Sequence, residues 1–334
     1  MATGKLWPLA AGMVLFRGGC WPRHHDTGAT SDSGPRVLPR VEAVPYVAEE
    51  LCVNYYRACA RLDDGAVACW GRDIDAFELD VNANRMRCGN RVCVEQEDSG
   101  ITCFDWDGSL EAEDMYTPPD DMLPFSDWWD SRMWVVGGCG IRSDQHAACW
   151  PTTLGWDKTV SGFATRGIAF TLPCLILLDT DGEIHSLFQG ENCAGHDPKT
   201  DYKDSTYGLD VPPAGNDWQS VSGGAYHACA LDSTGKATCW GPPPKDTLQP
   251  DPHLRFTQLD SADFDTCGVT TDGHISCWAP NDLDLPTDVP TTGGWVQVGV
   301  GPDRGCALDE NGQITCFGDW EPSWSTLQDA LRAR

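Results

Sequence analysis

The sequence predicts an all-β fold, a seven-bladed β-propeller of three- to four-stranded antiparallel blades stapled by disulfides. Three observations point to it. Pairs of cysteines separated by nine residues recur along the chain, and an aromatic residue follows the second cysteine of each pair. Glycine, usually with Asp or Asn beside it, marks the middle of most of these segments. Gly (35), Pro (23) and Trp (15) are high together, the mix of many short strands, tight turns and aromatic packing rather than of long helices.

The cleanest copy runs from Cys229 to Cys239 and on through Trp240 and Gly241. The same separation recurs at Cys59 and Cys69, Cys93 and Cys103, Cys139 and Cys149, Cys267 and Cys277, and Cys306 and Cys316. The following aromatics are Trp70, Phe104, Trp150, Trp240, Trp278 and Phe317. Gly65, Gly235, Gly273 and Gly312 hold one fixed place between the cysteines, where a tight hairpin turn needs positive φ. Each copy therefore reads strand, turn, strand. Upstream, Trp128, Trp218, Phe256 and Trp295 stand eleven residues before the first cysteine, with Val221, Leu259 and Val298 three residues further on. That register predicts a third strand.

A seventh copy is degenerate. Phe163 is expected as its aromatic and Cys174 as its first cysteine, with a longer turn through Asp179, Asp181 and Gly182, and Ser186 where the second cysteine would stand. Seven such sheets are each too small to bury their own faces, and radial stacking into a ring buries them. An open solenoid would need distinctive capping repeats at its ends. The first and last copies here are among the regular ones. The ring is expected to span residues 44–320, followed by a tail over 321–334.

The segment from His227 to Gly241 resembles the repeat of the regulator of chromosome condensation family in its cysteine-rich, exported bacterial form. The likeness extends over about residues 44 to 318 and is weak in the third and fourth copies. It implies an interaction platform. Nuclear members act as guanine-nucleotide exchange factors on a small GTPase, and a bacterial relative inhibits a β-lactamase. The exchange activity is not expected to carry over to an acidic, oxidised chain without a basic tail.

In an antiparallel hairpin, cysteines flanking a nine-residue segment around a central turn lie opposite each other, at about the Cα separation a disulfide tolerates. Six bridges follow, and with them an oxidising compartment. Four cysteines then remain besides Cys20: Cys52, Cys88, Cys174 and Cys193. A bridge between Cys52 and Cys88 would join neighbouring blades, and Cys174 is expected to reach Cys193. The hairpin bridges are local, so the ring must close by strand pairing or packing between residues near Val41 to Val47 and the last blade.

Residues 1–20 have the layout of a secretory signal: basic Lys5, an apolar stretch from Leu6 to Phe16, then Gly18 and Gly19 before Cys20. Cys20 sits as in the lipid-attachment box of bacterial lipoproteins, although Arg17 departs from that pattern. Both a lipidated Cys20 and a plain cleaved signal stay open, and such a lipid would be the chain's membrane contact. Residues 21–43 read as a flexible tether. No later segment approaches the roughly 20 apolar residues that a spanning helix needs.

The net charge of −27 repels polyanions and argues against nucleic-acid binding. No metalloprotease, nucleophile-elbow, phosphate-loop or dinucleotide motif is present, and no enzyme activity or cofactor is expected. Short cysteine ligand spacings are absent. His24, His25 and Asp26 lie in the tether as a solvated run, and Asp179, Asp181 and Asp272 are explained by turn formation, so no metal is expected. Two irregular inserts, 105–127 and 190–216, are where rim loops would carry a contact surface. The aromatics in and just beyond them, Tyr116, Phe125, Trp129, Tyr202 and Tyr207, are the candidate partner-binding residues, while Trp128 is assigned to blade packing. The function expected is an exported or envelope-attached scaffold that binds a protein or glycan through rim loops. The alternative is a propeller hydrolase or lyase acting on extracellular polysaccharide, which would show clustered carboxylates in the central channel.

Overall fold

The computed structural model describes residues 46–54, 57–71, 74–79, 81–89, 91–96, 100–104, 118, 123, 125–130, 138–150, 161–171, 174–187, 208–241, 248–279, 285–318 and 320. Seven antiparallel sheets follow one another along the chain. The first blade has four strands, β1 (Ala48–Asn54), β2 (Arg57–Leu62), β3 (Val67–Gly71) and β4 (Ile74–Leu79). The second has β5 (Arg85–Cys88), β6 (Val92–Glu95) and β7 (Ile101–Phe104), and the third β8 (Phe125–Asp130), β9 (Gly138–Arg142) and β10 (Ala147–Cys149). The fourth has β11 (Thr165–Phe170), β12 (Leu175–Asp179) and β13 (Ile184–Leu187), and the fifth β14 (Trp218–Gly223), β15 (Ala228–Asp232) and β16 (Ala237–Trp240). The sixth has β17 (Phe256–Ala262), β18 (Asp265–Thr270) and β19 (Ile275–Trp278), and the seventh β20 (Trp295–Gly301), β21 (Arg304–Asp309) and β22 (Ile314–Gly318). This is the seven-bladed propeller.

Strand alternation explains how the blades stack. Successive side chains point to opposite faces of a sheet, so the second cysteine and the aromatic after it face different neighbours. Cys239 packs with Phe256 and Trp278 of the next blade, whereas Trp240 packs with Ile176 and Leu178 of the preceding one. Cys69 and Trp70 repeat this, facing Met86 of blade two and Leu308 of blade seven. The core is thus a set of interblade layers, with the disulfides inside them.

All six hairpin bridges form, with Cα–Cα separations from 3.9 Å at Cys306–Cys316 to 4.1 Å at Cys59–Cys69, the close spacing of opposed antiparallel residues. Cys52 and Cys88, 5.6 Å apart at Cα, join blade one to blade two.

Blade four departs from the expected register. Its turn has the same length as the others: Gly182 follows Asp179 as Gly235 follows Asp232, and each glycine has positive φ (89° and 79°). The cysteine positions are therefore taken by Ile176 and Ser186, which pair directly. Cys174 lies two residues earlier, buried ahead of β12. Cys193, its expected partner, lies outside the described residues. Thr165, opposite Asp179, holds the aromatic position in place of Phe163, just as Trp218 stands opposite Asp232.

Two kinds of bond recur between neighbouring blades, the second of them at the six–seven and seven–one seams. The turn residue's carbonyl accepts the N–H at the start of the next blade's innermost strand, as in Gly235 to Phe256 (2.7 Å) and Gly273 to Trp295 (3.0 Å). Gly312 accepts from Ala48 in the same way (2.9 Å). The second bond comes just after a bulge in the innermost strand. There the Gln258 amide donates to the Val298 carbonyl and accepts from its N–H (3.1 and 3.0 Å), and Gln297 makes the same pair of bonds to Leu51 (2.7 and 3.0 Å). The seam between blades seven and one therefore uses the same bonds as an ordinary interblade contact. Tyr46 adds to it by accepting from Gln313 (2.8 Å). Among the described residues no ladder pairs β1 with blade seven. Residues 41–45, expected at the seam, lie outside the described set.

Candidate functional site

The innermost strands of all seven blades line a central cavity of about 760 Å³. The residue after the bulge lines it in five blades, Glu50, Asp127, Ser220, Gln258 and Gln297, and Arg85 lines it from the regular strand β5. The channel is electrostatically lopsided. Around β1, β5 and β8, Glu50 accepts from the Met86 N–H (2.8 Å) and from Arg87, and Arg87 also reaches Asp127 at 3.0 Å. Arg61 pairs with Glu49 at 2.7 Å, and Arg85 with Glu95. The facing sector offers Ser220, Ser222, Gln258 and Gln297. Asp260 there accepts the Val300 N–H at 2.8 Å. Carboxylates do cluster in the channel, but arginines and backbone donors from neighbouring blades hold them. The arrangement cross-links three blades.

The face where the innermost strands end is different. In blade six the two-residue turn Asp263–Phe264 closes Ala262 against Asp265, and Asp263 takes positive φ (46°), unusual for a residue with a Cβ. Its carbonyl accepts the Ala225 N–H (2.8 Å) and so ties the turn to blade five. Phe264, 36% exposed, stacks on Tyr226 with ring centroids 4.8 Å apart and planes 20° apart. Beneath them His227 is buried, its Nε2 2.7 Å from the Thr266 hydroxyl, which lies 3.0 Å from that of Ser261. Burial holds the His227 imidazole down at about 4, with the Asp263 carbonyl offsetting part of the shift. A neutral, hydrogen-bonded group therefore supports a fixed aromatic pair at the surface.

Of the candidate binding residues, Phe125 is corrected. It is 5% exposed and stacks on Trp150 at 5.6 Å. Phe125 pairs with Arg142, so it fills the packing position that Trp218 fills in blade five. Trp128, expected in that place, instead pairs with Gly140, as Val221 does with Ala230, and is itself buried. Tyr116, Tyr202, Tyr207 and the Trp129 side chain lie outside the described residues, as do Cys20 and His24 to Asp26. Sequence reasoning missed Tyr226 and Phe264. Both stand three residues before a first cysteine, and a large aromatic in a turn next to a regular strand was the available signal.

Residues 218–241 match the family model of the regulator of chromosome condensation (RCC1) repeat. No curated protein matches the chain. Among solved structures, the chain is similar to the Crinkly WD40 ectodomain of the Arabidopsis thaliana receptor kinase ACR4, with 15% identity, 82% of this chain and 96% of that one covered, and a TM-score of 0.60. It is also similar to the entire ectodomain of the Physcomitrella patens receptor kinase CR4, with 19% identity, 82% and 73% covered, and a TM-score of 0.61. Human WBSCR16 has 13% identity, 84% and 94% covered, and a TM-score of 0.52. These likenesses establish the fold.

Proposed function

We propose, for a seven-bladed ring whose residues 218–241 are a regulator of chromosome condensation repeat, that the chain is an exported, non-catalytic scaffold that binds a partner protein. The contact surface is the face carrying Tyr226 and Phe264. The observation behind this reading is that stacked pair, an exposed Phe264 on a half-buried Tyr226, held out by a left-handed Asp263 and a bond between blades. Backbone conformations of that kind persist where surrounding structure imposes them, and they concentrate at binding sites. Rigid aromatics give large contact area at low entropic cost. Seven disulfides among the described residues support an oxidising compartment. The resemblance to receptor ectodomains agrees with that setting.

The polysaccharide-cleaving alternative needs a carboxylate free to act on substrate. Glu50 and Asp127 are bridged by Arg87, which favours a structural role for them. The test is affinity capture with the mature protein from the extracellular and envelope fractions of its source, beside Tyr226→Ala/Phe264→Ala and a deletion of residues 106–122, which leaves β8 intact. Loss of the captured partner with the double substitution supports the surface. Retention there with loss in the deletion moves the site to the insert, and retention in both rejects this face.

A further inference from the structure

Blade four alone lacks the cross-strand disulfide. Ile176 and Ser186 stand in the cysteine positions, and the Ser186 hydroxyl turns away to donate to the Leu209 carbonyl (2.6 Å). The same hairpin carries the one group of three metal-ligating side chains among the described residues, Asp179, Glu183 and His185. Their ligand atoms lie within 4.8 Å of one another. We propose that this group is a site for a divalent transition cation of the zinc type, which clips β12 to β13 where the other blades use a disulfide.

The register supports this beyond the proximity of charges. The residue before the second-cysteine position is Thr238 in blade five, Ser276 in blade six and Thr315 in blade seven. In blade four it is His185, which pairs across to Leu177. Its Nε2 lies 2.7 Å from an oxygen of Asp179, the residue that ends the opposite strand. The other Asp179 oxygen is held by the Glu183 N–H (2.8 Å). Phe163 stacks on the imidazole at a centroid distance of 4.0 Å and fixes its plane.

One imidazole nitrogen and two carboxylates, with water completing the shell, make a ligand set suited to zinc. Asp179 is buried, His185 half-buried and Glu183 exposed, so an ion can enter from the turn side. The cation would sit between Asp179 and Nε2, bound by the neutral imidazole with its single proton on Nδ1. The turn explains Asp179 by itself. It does not explain an imidazole brought onto that carboxylate in the one hairpin whose paired cysteine positions hold Ile176 and Ser186.

The test is titration of the chelator-treated, disulfide-intact protein with Zn²⁺ alone, by calorimetry and by amide hydrogen exchange over β11–β13. Parent protein is compared with His185→Thr, the residue found at this place in blades five and seven, with Glu183→Gln on the exposed side, and with His24→Ala/His25→Ala. The expected result is one equivalent bound by the parent and by the His24/His25 variant, with slower exchange in β12 and β13. His185→Thr should weaken binding at least about tenfold, and Glu183→Gln should weaken it measurably if His185→Thr does not fold. Three results would overturn the proposal: no binding by the parent, binding that survives both hairpin variants, or binding removed by the His24/His25 change.

Discussion

Gln297→Ala should destabilise the ring by about as much as Gln258→Ala, because the two side chains make the same pair of bonds at different seams. Gln297 satisfies both the N–H and the carbonyl of Leu51 (3.0 and 2.7 Å). Truncation leaves two backbone groups of the buried Leu51 without their partners, at roughly 1 to 3 kcal/mol each. Because Leu51 and Gln297 border the central cavity, water can replace the lost amide, and the low half of that range applies, about 2 to 4 kcal/mol in total. At roughly 2 to 4 °C per kcal/mol for a chain of this size, the midpoint should fall by about 4 to 16 °C. The assay is thermal and urea unfolding of both variants with disulfides intact, followed by intrinsic Trp fluorescence. A large loss for Gln258→Ala with none for Gln297→Ala would refute the reasoning, since the ring would then close through contacts other than those between blades seven and one.

The disulfides should differ in worth. Removing Cys52–Cys88, which spans 36 residues and joins two blades, should cost about 1 kcal/mol more than removing Cys229–Cys239, which spans 10, by the loop-entropy relation; equal urea midpoints for the two Cys→Ser pairs would contradict this. His227 should make stability depend on pH. Its folded value of about 4 lies below the ordinary 6.5, so the unfolded chain takes up the proton first as pH falls. Its neutral form is fully supported above pH 6.5, and roughly 3 kcal/mol is lost between there and pH 4. His227→Gln should flatten that slope in urea unfolding at stepped pH, and an unchanged slope would reject the assignment.

The parts of the fold that were legible in the sequence are those where local chemistry marks the register. Blades five, six and seven carry the turn glycine, both cysteines and the upstream aromatic at constant spacing, and their strands follow. The markers mislead where one of them drifts. Counting eleven residues back from Cys139 selects Trp128, yet the longer connection between β8 and β9 shifts the packing position to Phe125. In blade four Cys174 looks like a displaced staple, but the Asp179 to Gly182 turn keeps the ordinary register and places Ile176 and Ser186 at the paired positions. Turn geometry is imposed by the backbone, whereas a cysteine can be replaced once neighbouring blades hold the sheet. The channel was legible only as a place. Its arginine–carboxylate bridges join residues such as Glu50 and Arg87, or Arg85 and Asp127, from different blades. Pattern within one repeat does not reveal pairs between repeats.

The position of the irregular blade follows from how the ring closes. Each blade is contiguous in sequence, beginning with its innermost strand and ending with an outer one. Among the described residues no strand is exchanged at the seam, which is held by Ala48 on Gly312 and by Gln297 on Leu51. Blades three, four and five follow one another directly in sequence, joined by residues 150–164 and 188–217, so docking them closes far smaller loops than closing the ring does. Blades one and seven meet only by closing a loop around the whole ring, and that cost rises with loop length. The seam can offset it only with well-formed faces on both sides. Blades one and seven supply them, with regular turns, intact staples and Trp70 buried against Cys306 and Leu308. A missing disulfide is tolerable in blade four because covalent connection to its neighbours already keeps them near; the same loss in blade one or seven would fall on the contact that has no such help.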